Sequence, residues 1–246
     1  MKKIVFVVIN CLCFTFLFAQ DSTTYKTPST AKTIKLPNRP GDHFMIQLSS
    51  DHWNGMPDSI SSHQSGFSRG FNMYFMLDKP FRSSPKFSLG IGVGIGTSNI
   101  TFKKAIVDLK AAGALLPFSA ADSTNHFKKY KLSTGYVEVP LEFRYSSKPL
   151  EPNKSFKIAL GAKIGTIINA HTKGKTLQDK NNNTLNNYTL KESSKRLING
   201  TRFMGTARVG YGIISLFVAY QLSNVLKDGA GPNMHLYQVG ITLSGL

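Results

Sequence analysis

FSLGIGVGIGTS, residues 87–98, sets Gly90, Gly92, Gly94 and Gly96 strictly between Leu89, Ile91, Val93 and Ile95. Glycine at every second position weakens a strand, because it packs nothing and marks close approach of other atoms. A phosphate-cradling loop needs the spacing G-x-G-x-x-G, and Ile95 and Thr97 occupy the places where its third glycine would fall. The period is two. The stretch predicts a strand with one apolar face and one face almost without side chains.

The same alternation recurs along the chain. Phe44, Ile46 and Leu48 share one side, as do Phe71, Met73, Phe75 and Leu77. Val137, Val139, Leu141, Phe143 and Tyr145 follow, then Phe156, Ile158, Leu160, Ala162 and Ile164. Phe203, Ala207, Val209 and Tyr211 form a weaker set, SLFVAYQL another, and Tyr237, Val239, Ile241 and Leu243 the last. Eight strands result, and no stretch has a helical period.

The opposite face decides where the apolar one points. It carries Gly90–Gly96, Gly161, Gly165, Gly210, Gly212 and Gly240, mixed with Glu138, Glu142, Arg144, Lys157, Lys163, Arg202 and Arg208. A water-facing sheet surface favours Thr, Lys and Glu throughout, whereas a narrow closed barrel has room for little inward side-chain volume. The apolar face is therefore expected to look out into lipid. In hydrocarbon every backbone polar group must be bonded internally, which leaves an apolar helix or a closed barrel. Beyond the N-terminus no apolar run reaches the roughly twenty residues that a spanning helix needs. The expected fold class is all-β: an eight-stranded antiparallel up-and-down transmembrane β-barrel.

Two patterns agree. Phe44, Phe87, Tyr145, Phe156 and Tyr211 gather toward one rim, and Phe71, Phe203, Tyr220 and Tyr237 toward the other; such aromatic girdles belong to transmembrane barrels. Connections also alternate: 52–67, 99–135, 169–199 and 223–234 are long, while 79–86, 146–155 and the turn near Gly212 are short. Short periplasmic turns and long external loops give that order when both termini are periplasmic.

MKKIVFVVINCLCFTFLFAQD opens the chain. Lys2 and Lys3, the apolar run Ile4–Phe18 and the small Ala19 read as a secretory signal peptide over 1–19. A flexible periplasmic leader rich in Thr, Ser, Pro and Lys is expected over 20–41, and the barrel domain over 42–246. Cys11 and Cys13 both fall in the signal, so the mature chain would hold no disulfide and no thiol chemistry. Removing Lys2 and Lys3 from the 30 basic residues leaves 28 against 13 acidic ones. An exported basic surface meets lipid phosphate before nucleic acid, and no nucleic-acid partner is expected.

GYVEVPLEFRY, FSLGIGVGIG and the closing LYQVGITLSGL resemble the PorT-like family of outer-membrane β-barrel proteins of the Bacteroidetes. Members carry a tyrosine–acid–proline strand, here Tyr136, Glu138 and Pro140, and a terminal strand ending at the C-terminus. The resemblance covers about residues 42 to 246 and implies a Gram-negative cell outer membrane. Barrels of this kind often end in an aromatic residue read by the barrel assembly machinery, whereas this chain ends in Leu246.

Chemistry is sparse. Glu138 and Glu142 could act as the acid and base of a glycosidase, but a small barrel has no room for a sugar. They are expected to neutralise Arg144, Lys157, Lys163, Arg202 and Arg208 instead, since a buried charge is costly unless paired. His43, His52, His63, His126, His171 and His235 show no metal-ligand spacing and read as solvated residues. No metal or cofactor is expected. Pro140 removes a ladder donor and should sit at a gap in pairing, a bulge or a lateral lipid gate. Loop 99–135 carries Lys103, Lys104, Lys110, Lys128, Lys129 and Lys131 against two acids; loop 169–199 carries Lys173, Lys175, Lys180, Lys191, Lys195 and Arg196 against two. Of these, Lys103, Lys104, Lys128, Lys129, Lys173 and Lys175 are candidate contacts for lipopolysaccharide phosphates, and DKNNNTLNNYT reads as a mobile polar tip. The expectation is a non-enzymatic barrel with a structural, surface-binding or envelope-complex role, its partners outer-membrane lipid, lipopolysaccharide and envelope or secretion proteins. The alternatives are a lipid-modifying barrel enzyme and a narrow pore.

Overall fold

The computed structural model describes residues 44–65, 68–121 and 123–245. The expected signal peptide and leader, His43, Asp122 and Leu246 lie outside the described residues. In chain order the elements are β1 (Phe44–Asn54), a single helical turn α1 (Asp58–Ser61), β2 (Arg69–Pro80), β3 (Phe87–Phe102), β4 (Ala105–Val107) and β5 (Phe118–Ala120). Then come β6 (His126–Ser146), β7 (Phe156–Gln178), β8 (Thr184–Ser193), β9 (Thr201–Tyr211), β10 (Ile214–Gln221) and β11 (His235–Ser244). Among the described residues no helix is long and apolar enough to cross a membrane.

Eight strands close a ring. Antiparallel pairing runs β1–β2–β3–β6–β7–β9–β10–β11, and β11 returns to β1 with Ile46 opposite Leu243 and Leu48 opposite Ile241. The architecture is the expected eight-stranded up-and-down barrel. Ile91 is 49 % exposed and Val93 52 %, so the apolar face of the glycine strand points outward. Phe75, Leu141, Phe143, Leu160, Val218 and Val239 are exposed on the same outer wall. Phe87 packs on Tyr145 with ring centroids 5.2 Å apart at the short-turn rim, and His52 stacks on Tyr237, also at 5.2 Å, toward the other.

The glycines make room for inward side chains. A Cβ on Gly96 would lie 2.5 Å from Glu138 Oε2 and 2.8 Å from Arg202 Nη2, and one on Gly90 would lie 2.7 Å from Arg144 Nε. At Gly94 it would come within 2.7 Å of Tyr74 Cα. An alanine-sized group at Gly90 or Gly96 displaces a buried ionic side chain, and one at Gly94 runs into the β2 backbone at Met73 O, 2.0 Å away. Gly212 belongs elsewhere: it is not on the inner face but in the tight β9–β10 turn, with φ of 60°.

Two of the segments read as long loops are largely strand. β3 runs on to Phe102, β6 begins at His126, and β7 extends to Gln178, where a turn leads into β8. Lys129 pairs with Lys175 and Lys131 with Lys173 in the β6–β7 ladder, and β8 pairs with β7 from His171 to Gln178. The supposed mobile tip is an ordered turn: the Asp179 carboxylate accepts from the backbone N–H of Asn181 at 2.9 Å and of Asn183 at 2.8 Å. Polar outward faces concealed these strands. On β3 and β6 Ile100, Phe102, Tyr130 and Leu132 turn inward against outward Asn99, Thr101, Lys129 and Lys131, the reverse of the apolar-out parity lower in the barrel, and on β7 His171, Lys173 and Lys175 alternate with Thr172 and Gly174.

Beyond the ring, the same end is filled by an apolar cluster. Ile100, Phe102, Val107, Leu109, Phe127 and Leu132 pack with Ile198, Leu226 and Met234, and meet Trp53, Phe217 and Leu236 from the barrel wall. Tyr130 Oη donates to Val107 O at 2.7 Å and accepts from Val107 N at 3.1 Å, fixing β4 over the opening. Arg196 donates to the carbonyls of Ala111 and Gly113, tying the two outer segments together.

Candidate functional site

Within the ring, strand alternation brings one residue in two to the axis, and the ladder sets their heights. Glu138 sits opposite Gly165 and Glu142 opposite Gly161, so each carboxylate projects into space that a glycine leaves open. Arg202 donates to Glu138 Oε1 from Nε at 2.9 Å and also from Nη2. Lys163, diagonal to Glu138, approaches Oε2 at 3.3 Å, and Tyr74 Oη donates to that oxygen at 2.5 Å. Lys163 also donates to Tyr74 Oη at 3.0 Å, and the Arg202 guanidinium lies 4.1 Å from the centre of the Tyr136 ring. One level closer to the short turns, Glu142 Oε2 accepts from Arg144 Nε at 2.8 Å and from Arg208 Nη2 at 3.0 Å.

Two further carboxylates complete the column. Asp51 accepts twice from Gln238 Nε2, at 3.1 and 3.0 Å, and from Ser49 Oγ. Asp78 lies 3.6 Å from Arg144 Nη1 and accepts from Ser88 Oγ at 2.7 Å. Four acids thus face four buried bases: Asp51, Asp78, Glu138 and Glu142 with Arg144, Lys163, Arg202 and Arg208. Sequence reasoning missed Asp51, Asp78, Tyr74 and Gln238. Continuing the alternation of β1 and β2 past their apolar residues would have found Asp51 and Asp78, and the inward parity between Met73 and Phe75 would have found Tyr74. Lys157 stands at the short-turn rim, half-buried and opposite Ser146.

Pro140 faces Lys163 in the β6–β7 ladder. On its other side the β3–β6 ladder passes from Ile91–Leu141 to Gly94–Glu138 without a change of register, leaving Gly92 and Val93 outside the paired positions. The gap is local and unbulged.

The second constellation lies on the outer wall of the strand extensions. A groove of about 580 Å³ is lined by Arg69, Asn99, Lys129, Lys131, Lys173 and Lys175, among others. Lys131–Lys173 and Lys129–Lys175 are direct cross-strand pairs, and Lys191 of β8 stands opposite Lys173. Directly opposed side chains have Cβ atoms only about 4.5–5.5 Å apart, so like charges there repel. Among the described residues none of these five lysines forms an ion pair. Lys131 donates instead to Asn99 Oδ1 at 2.7 Å. Burial, then Lys173 and Lys175, hold the Lys131 ammonium below the usual lysine value. His171 is likewise lowered, by burial first and then by Lys191, Lys131 and Lys173.

A bulge assembles this face. Gly135 pairs with Asn169 but Tyr136 with Ile167, so Ile168 is an extra residue in β7. Below it Lys157 and Lys163 point inward; above it the odd-numbered His171, Lys173 and Lys175 point outward, beside the half-exposed Lys131. Lys103 and Lys104 occupy the short link between β3 and β4, and alternation puts Lys128 on the opposite face of β6 from Lys129. None of those three lines the groove.

The histidines are not all solvated. His126 is buried, its ring nitrogens within 3.3 Å of Thr124 O and 3.2 Å of Asn182 Oδ1, because β6 starts well before its apolar alternation suggested. Among the described residues no group of three His, Cys, Asp or Glu could hold a metal.

The outer membrane protein beta-barrel domain family model matches residues 43–225. A comparison with curated proteins gives no match.

Proposed function

Because the chain belongs to the outer membrane protein β-barrel domain family, we propose that it is a non-enzymatic, non-conducting wall protein that works through its outer face. In this reading the termini and short turns are periplasmic and the strand extensions stand outside the cell. Within the family, Tyr136, Glu138, Pro140 and the terminal strand β11 support a place among the PorT-like proteins of the Bacteroidetes.

One observation carries the proposal: the interior is full. Arg202, Tyr74, Met45 and Met76 are fully buried along the axis, and the apolar cluster closes the far end. Eight strands enclose only enough volume for their own side chains. Neither Glu138 nor Glu142 is free to move a proton to a substrate, since each is held by two cations. Reconstituted in planar bilayers, the protein should show no single-channel steps, and lipid A from deletion cells should match the wild type by mass spectrometry. Steady channels or an altered acyl pattern would overturn this reading.

Contact with an envelope or export complex is favoured by β8, which ends the sheet with an exposed ten-residue edge. A pull-down from detergent-solubilised envelope names the partner, and a variant lacking residues 180–190 should lose it.

A further inference from the structure

We infer that the outward lysine face of β6, β7 and β8 is a docking site for the phosphate groups of outer-leaflet glycolipid. The inference rests on the proposal that this end of the barrel is outside the cell. Three observations converge on it. Lys131, Lys173 and Lys191 form one row across three strands, and Lys129 with Lys175 a second, with no ion pair to any of the five among the described residues. A fold that sets like charges directly opposite one another incurs their repulsion, and a bound dianion removes it. The rows border a groove of about 580 Å³, whose Asn99 already orients Lys131 and whose far side carries Arg69. Finally, the bulge at Ile168 turns Lys173 and Lys175 outward, where unbroken alternation would have turned them inward.

Position selects lipid over a soluble anion. On β7 the exposed apolar Ile164 and Ile168 lead directly to Asn169, His171 and Lys173 on the same wall. The step from Ile168 to Lys173 is roughly 16 Å along the strand and roughly 12 Å in height at a barrel tilt of ~40°. Headgroup layers are about 5–8 Å thick on each side of the hydrocarbon, and lysine stems reach back toward them. With that reach the ammonium groups come within range of the level where lipid phosphates lie.

The protein should first be labelled at Asn181→Cys on intact cells with a membrane-impermeant maleimide. Labelling only after the outer membrane is opened would mean that the orientation is wrong. With labelling established, the purified full barrel is titrated in one detergent with bis-phosphorylated lipid A, its dephosphorylated form, and inorganic pyrophosphate. The bis-phosphorylated lipid should bind in a salt-dependent way, and the double variant Lys131→Gln/Lys173→Gln should weaken it by roughly tenfold or more. Lys103→Gln/Lys104→Gln should change nothing, and Lys131→Arg/Lys173→Arg should retain binding and serves should the neutral variant not fold. Equal affinity of the Gln double variant and the wild type overturns the site. Equal affinity for phosphorylated and dephosphorylated lipid overturns phosphate recognition, and pyrophosphate binding as tightly as lipid overturns the lipid source.

Discussion

Arg202 and Glu138 face each other inside the barrel from strands that are not neighbours, with the Arg202 Nε donating to Glu138 Oε1 at 2.9 Å across 64 residues of sequence. β7 lies between their strands, and its Gly165 is paired to both. The contact exists because that residue has no side chain. A guanidinium that donates twice to one carboxylate oxygen across a glycine staples three strands of the wall, which makes the ion column a structural device of the closed ring.

Removing the carboxylate charge should therefore be severe. Glu138→Gln leaves Arg202 and Lys163 buried without their counter-ion, a situation that costs roughly 3–5 kcal/mol. Urea unfolding in detergent or lipid should show a loss of that order. The exposed control Glu151→Gln should stay within about 0.5 kcal/mol. Equal midpoints for the two variants would remove the column from the stability argument.

Glycine positions should divide by what they face. Gly96→Ala places a methyl 2.5 Å from Glu138 Oε2 and should cost about 1–3 kcal/mol through displacement of the pair. Gly205 has open space where a Cβ would stand, and Gly205→Ala should be neutral or stabilise by about 0.4–1 kcal/mol. Heat-dependent gel mobility of the folded barrel ranks the two.

The outer hairpin should respond to pH near neutrality. The His171 value lies below that of an ordinary imidazole because burial, and then Lys191, Lys131 and Lys173, disfavour its charge. Asn169 Nδ2 is 3.2 Å from its Nδ1, and Ser133 and Ser193 flank it across the ladders. The unfolded segment thus takes up the proton more readily than the folded one. Hairpin stability should rise with pH from the lowered folded value up to about 6.5, and stay lowest below that window. Hydrogen exchange of the β7 amides at pH 5 to 8 reads the slope, and His171→Gln should flatten it.

Deleting Ile168 tests the bulge. Without the extra residue, Lys173 and Lys175 take the inward parity of Lys163 and meet the apolar cluster at Phe127 and Leu132. The β6–β7 extension should detach and become sensitive to trypsin, while the lower ring keeps its folded gel mobility. A deletion variant with unchanged protease resistance would show that the register shift is dispensable.

The barrel was legible because lipid imposes a strict two-residue code. Leu89, Ile91, Val93 and Ile95 must be apolar, and Gly90 to Gly96 must be small, so both faces of β3 speak in composition. The candidate pairings were less legible. Asp51 and Asp78 belong to the ion column, yet they stand at the ends of their alternating runs, where the pattern fades. The strand extensions were hidden for a related reason: water and protein flank them instead of lipid, and Lys129, Lys131, Lys173 and Lys175 read as loop residues by composition.

Alternation alone determined eight lipid-facing strands and which side chains turn inward along them, because hydrocarbon admits only an apolar helix or a closed barrel and the two-residue period is that of strands. Tertiary structure decided which inward charges meet and on which wall the outer lysines stand. Those outcomes depend on how neighbouring strands slide against one another and on a single surplus residue at Ile168, and register between distant strands is not written in the periodicity of either one.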